Sequence, residues 1–224
     1  MNGVGGSTTI TGTMDLNPLL VAVAAAVVGA ACGWLVRWGS VRLAKLEGLE
    51  PGTKPWQVWG PVIASALVLA VFGYELEAPR LLLLHGVFGL ILVQVIFFDL
   101  EHRLILDRVI FPAMGLALAV SLFNHPWWAG LATGLGAGLL FALIALIGAL
   151  IFKAEAMGFG DVKLAVFIGL LVGWPSTVTA LFYGVLLAGL VSIGYVIWMR
   201  SLRGTIAYGP YLAVGALILL FEMR

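Results

Sequence analysis

Long apolar runs separated by short polar connections constrain this chain more than any other feature. A helix needs roughly 20 mostly apolar residues to cross the ~30 Å hydrocarbon core of a bilayer. Eight runs are read, at about residues 18–38, 58–76, 81–99, 107–123, 128–152, 162–174, 176–199 and 208–222. The sixth is short, and the Trp174-Pro175 turn either separates it from the seventh or merges the two. Of the 224 residues, 62% are hydrophobic and 10% charged, against about a quarter charged in soluble domains. The expected fold is all-α: a polytopic membrane helical bundle of about eight transmembrane helices, forming a single membrane domain over 1–224.

The connections alternate in charge. Arg37, Arg42, Lys45 and Lys54 follow the first run, Arg103 and Arg108 the third, Lys153 and Lys163 the fifth, and Arg200 and Arg203 the seventh. The other side holds only Arg80 and Arg224, so ten of the twelve basic residues share one side. The positive-inside rule makes that side cytoplasmic. An even number of spans then leaves both termini outside, in a multi-pass protein of the cell inner membrane. A formal net charge of +1 gives no field for nucleic acid. Residues 1–17 contain no Lys or Arg, so the basic start of a secretory signal is missing.

Cys32 is the single cysteine and lies in an apolar run, where it reads as a small core residue. His85, inside the third run, reads as a hydrogen-bonded structural histidine. Gly130, Gly134 and Gly138 form a four-residue stripe that lets another helix approach closely. Trp127 and Trp128, near His125, read as interface anchors.

Chemistry points to two carboxylates. Asp161 begins the sixth run, in KAEAMGFGDVKLAVFIG, and Asp99 ends the third, in FFDLEHRLILDR. The end of a third span and the start of a sixth face the same side, so two helices can bring these acids together at the charge-rich boundary. Ionisable residues in membrane segments are expensive and are candidate functional groups; the bland reading is that each only caps a helix or meets the head groups. Gly158 and Gly160 permit close approach or unusual dihedrals beside Asp161. The positive end of its own helix favours charge on Asp161, whereas Asp99 lies at a helix's negative end. In a pair sharing one proton, Asp99 is then the proton carrier and Asp161 the base. Glu101 is expected in a wet loop, where it can support the site or bind a basic peptide. Asp107 reads as the N-cap of the fourth helix, and Lys163 as a head-group anchor or a stabiliser of Asp161.

The segment Glu155–Leu164, EAMGFGDVKL, closely resembles the second catalytic motif of type IV prepilin peptidases, membrane aspartyl proteases of the GxGD class. Asp99-Leu100-Glu101-His102-Arg103 resembles their first motif, and Tyr208–Ala216, YGPYLAVGA, their last helix. The resemblance implies a catalytic core over about 81–222 in which Asp99 and Asp161 are the catalytic pair. Gly158, Gly160, Glu101 and Lys163 would support the site or bind substrate. It implies prepilin or pseudopilin substrates, cut at the cytoplasmic face between a short basic leader and a hydrophobic stem.

The chain also departs from the family pattern. Many members carry a four-cysteine cytoplasmic domain after the first span; here that region is a short loop over 39–57 without cysteine. No metal and no cofactor are expected. Gly33–Arg37, GWLVR, only weakly matches the first-span region linked to N-methylation of the product, so that activity is not expected. Leu106 stands where the family commonly has proline, which allows a differently shaped loop. Two other readings stay open: a proton-coupled transporter with Asp99 and Asp161 as relay acids, and a structural membrane subunit. No inverted repeat favours the transporter.

Overall fold

Proline opens three of the helices. Pro18, Pro55 and Pro79 each stand in a first turn, where a backbone N–H has no partner inside the helix. The computed structural model describes residues 17–76, 78–123, 126–152, 158–199 and 207–222. They form α1 (Pro18–Leu46), α2 (Pro55–Glu75), α3 (Pro79–His102), α4 (Asp107–Leu122), α5 (Trp128–Phe152), α6 (Phe159–Val172), α7 (Ser176–Met199) and α8 (Gly209–Glu222), with no strand among the described residues. His125, Lys153, Glu155, Met157, Arg200, Arg203 and Arg224 lie outside the described residues.

The protein is a polytopic bundle whose helices fall on the eight apolar runs. One boundary is corrected: α1 continues to Leu46, so the connection to α2 is 47–54 and not 39–57. Hydropathy tracks only the lipid-facing part of a helix. In α1 the buried positions Gly29, Gly33, Arg37, Ser40 and Ala44 recur every three or four residues, so the packing stripe carries the helix beyond the apolar run. The Trp174-Pro175 turn separates α6 from α7, with Gly173 ending α6 at φ 64°.

Five helices, α1, α2, α3, α5 and α7, are long and apolar enough to cross a membrane. The others have 16, 14 and 14 residues, or about 21–24 Å at the helical rise. The short α6 packs against α4, α5, α7 and α8. A helix walled by protein can end at membrane depth, because its terminal groups meet protein and not hydrocarbon. Phe167 of α6 is fully buried and meets Phe88 of α3 at 6.2 Å between ring centroids.

Glycine sets the closest contacts. A Cβ on Gly169 would lie 2.6 Å from the Gly134 Cα, and one on Gly138 would strike Val166. The stripe on α5 is therefore the seam against α6. Gly29 and Gly33 press α1 against the backbone of α2 in the same way. The His85 ring nitrogen Nδ1 lies 2.8 Å from the Leu81 carbonyl, and the ring meets Phe72 edge-on, so this histidine is structural. Cys32 is half-buried. Trp127 and Trp128 are exposed.

Candidate functional site

Asp99 occupies the last turn of α3. The helix stops at Arg103, whose φ of 54° and ψ of 40° are left-handed and whose N–H donates to the Asp99 carbonyl at 2.8 Å. This turn sends Leu104–Leu106 back into the bundle, where Ile105 and Leu106 are buried. Leu106, which stands where the resembled family commonly has proline, has φ −71°. Proline is fixed near that value, so the loop keeps a proline-compatible path.

Asp161 is in the first turn of α6, its N–H donating to the Gly158 carbonyl at 3.1 Å. Asp99 and Asp161 are 5% and 8% exposed, so neither is a head-group residue. Ile105 links their surroundings. It packs against Gly160 on one side and against Gly209, the first residue of α8, on the other; a side chain on Gly209 would collide with the Asp99 carboxylate. Through Asp99, Gly209, Ile105 and Gly160 the two acids share one neighbourhood.

The role of the two motif glycines is corrected. Gly158 has φ −70° and ψ 142°, extended backbone open to any residue, and a Cβ there would meet only Asp161 Oδ2 at an ordinary 3.9 Å. Gly160 sits close against Ile105, since a Cβ on it would lie 3.0 Å from that of Ile105. The helix-dipole contrast is also narrowed. Asp99 ends α3 but touches the start of α8, whose positive end favours negative charge there as well.

Glu101 is not in a wet loop. It belongs to the last turn of α3, and its side chain is 6% exposed. Its Oε2 accepts from Arg37 Nη1 at 2.9 Å and its Oε1 accepts from the Gly52 N–H, with His102 Nε2 3.2 Å from the same Oε1. Lys163 neither reaches for lipid nor pairs with Asp161: it binds Asp107 and lies over the Phe111 and Phe159 rings, tying α6 to α4. Asp107 is one residue inside α4, with Leu106 as the N-cap. Arg108 pairs with Glu47 at 3.3 Å. Among the described residues, no three His, Cys, Asp or Glu side chains converge in a metal-binding group.

Arg37, Gly52, His102, Ile105 and Gly209 are the site's neighbours that sequence reasoning did not assign. Arg37 had a signal: a charge at the helical spacing of small packing residues. Ile105 had none.

Residues 86–193, from α3 into α7, match the type IV leader peptidase family. This stretch is similar to that family. Among the curated relatives, the prepilin leader peptidase/N-methyltransferase of Bacillus subtilis is 30% identical over 160 residues, covering 70% of this chain and 62% of that protein. The proteins of the same name from Pseudomonas aeruginosa and Stutzerimonas stutzeri are 29% and 26% identical, each covering 70% of this chain and 54% of its relative. The chain thus spans about half the length of these two relatives. No solved structure matches it. Asp99 and Asp161 both lie in the matched stretch, whereas α1, α2 and α8 lie outside it.

Proposed function

We propose that the chain is a membrane-embedded aspartic endopeptidase that removes the basic leader of type IV prepilins or pseudopilins, serving pilus assembly or type II secretion. The observation that supports this reading is a pair of buried carboxylates, at the end of α3 and the start of α6, whose neighbours Gly209 and Gly160 both pack on Ile105, within the stretch similar to the leader peptidase family. In the proposed orientation the site is at the cytoplasmic face of the inner membrane, with both termini outside. The excess of basic residues at that end supports it.

The chemistry follows from a pair holding one proton. The ionised carboxylate takes a proton from water as the water oxygen attacks the scissile carbonyl carbon. The protonated partner gives its proton to the carbonyl oxygen, and a neutral geminal diol forms. On collapse, one hydroxyl returns its proton to a carboxylate, the C–N bond breaks, and the departing nitrogen takes a proton from the other acid. The products are the leader's carboxyl end and a new amino terminus. The pair again holds one proton. Burial excludes competing water and strengthens each of these interactions.

The test is co-expression with a precursor that joins a basic leader to an apolar stem, read as a size shift. Asp99→Asn and Asp161→Asn are each expected to lower the cleavage rate by at least about 100-fold. Near-normal cleavage by folded Asp99→Asn would sink the proposal. Proton-coupled uptake without cleavage would move the assignment to a transporter.

A further inference from the structure

We propose that Arg37 is a positioning residue for Asp99, fastening the α1–α2 hairpin to the turn of α3 that presents this carboxylate. Three links form a closed triangle: Arg37 Nη1 donates to Glu101 Oε2, Arg37 Nη2 donates to the Gly52 carbonyl, and the Gly52 N–H donates to Glu101 Oε1. Glu101 is two residues from Asp99 in the same final turn, so a shift of its carboxylate moves that turn. A second tie, Ser40 Oγ to Gln94 Oε1 at 3.1 Å, joins α1 to α3 farther along both helices.

The other uses of an arginine at this place do not fit. Arg37 is 7% exposed and does not snorkel to the head groups. Both terminal nitrogens are committed within the chain, so it is not set out to receive a substrate. Stability alone does not account for it, because well-packed apolar residues commonly replace buried ion pairs without loss. What the pair does supply is a fixed geometry: the planar guanidinium fork bridges a carboxylate and a carbonyl, which a lysine point charge does not reproduce. Arg37 lies outside the stretch similar to the leader peptidase family and Glu101 inside it, so α1 completes a site whose acids it does not contribute.

The kinetic arm of the test rests on the peptidase reading; the exchange arm does not. With purified full-length chain and a precursor of basic leader plus apolar stem, Arg37→Gln is expected to lower kcat by about 30-fold or more with KM within about threefold. Arg37→Lys, which keeps charge without the fork, should lose about tenfold and serves if Arg37→Gln does not fold. Combining Arg37→Glu with Glu101→Arg should recover about tenfold over either reversal alone. Independently of cleavage, amide exchange over 99–106 should quicken about tenfold in Arg37→Gln or, where that variant does not fold, in Arg37→Lys, with 161–172 unchanged. Unchanged exchange at 99–106, kcat within twofold of the parent, or a loss confined to KM would each overturn the proposal. If the parent chain cleaves no precursor, the peptidase reading falls and the exchange result alone decides the role of Arg37.

Discussion

Asp99 and Asp161 each have a charged neighbour two residues on, and the two neighbours are held in different ways. Glu101 is locked inside the protein, with its side chain and that of Arg37 6% and 9% exposed. Lys163 pairs with Asp107, whose side chain is 57% exposed. The first pair is desolvated and closed by a backbone loop; the second is wet on one side. The end of α3 thus depends on a rigid polar clamp to α1. The start of α6 depends on apolar fit: Gly160 against Ile105, and nine buried residues in a helix of 14. One carboxylate is held from outside the stretch similar to the leader peptidase family, the other from within it.

The largest expected effect tests the clamp. Glu101→Ala leaves the buried Arg37 charge without its carboxylate, a loss of about 3–5 kcal/mol, measurable as a lower midpoint of reversible unfolding in detergent. A loss under about 1 kcal/mol, the scale of an exposed pair, would erase the contrast with Lys163. Next, Ile105→Ala removes the side chain packed against both Gly160 and Gly209 and should cost about 2 kcal/mol by the cavity it leaves. It should also impair cleavage at least as much as it impairs stability. If cleavage survives, the two carboxylates do not depend on the packing of Ile105 between Gly160 and Gly209.

Gly209→Ala probes Asp99 from the other flank. The new methyl collides with the carboxylate, and a displacement of that kind should lower cleavage by about 10- to 100-fold, with the unfolding midpoint nearly unchanged. Unaltered kinetics would mean that Asp99 acts from another rotamer. The smallest effect belongs to Lys163→Ala, expected to cost about 1 kcal/mol or less and to change cleavage by under about fivefold. A loss as large as that of Glu101→Ala would show that the half-exposed pair is as important as the buried one.

The fold was legible because the bilayer imposes one simple demand on sequence, a long apolar run for each crossing. Pro18, Pro55 and Pro79 mark three starts within a few residues. Where lipid is not the solvent, hydropathy lost its grip. It ended α1 too early because Arg37 and Ser40 pack on protein, and it began α6 late because Phe159, Gly160 and Asp161 precede its apolar core. Asp99 and Asp161 were legible because a buried carboxylate is costly and therefore conspicuous. Glu101 and Lys163 were visible as charges, but their partners were 64 and 56 residues away, beyond any local pattern.

By itself, the sequence determined the membrane bundle, the eight helical runs, the two carboxylates and the end of the bundle at which they stand. Those follow from composition, period and parity, which act locally along the chain. Only the tertiary structure decided which groups surround the pair. It brought the start of α8 against Asp99, set Ile105 between Gly209 and Gly160, closed Arg37, Gly52 and Glu101 into a triangle, and turned Lys163 toward Asp107. Such contacts are chosen when helices distant in sequence pack together, because a buried charge must find a partner wherever the fold supplies one.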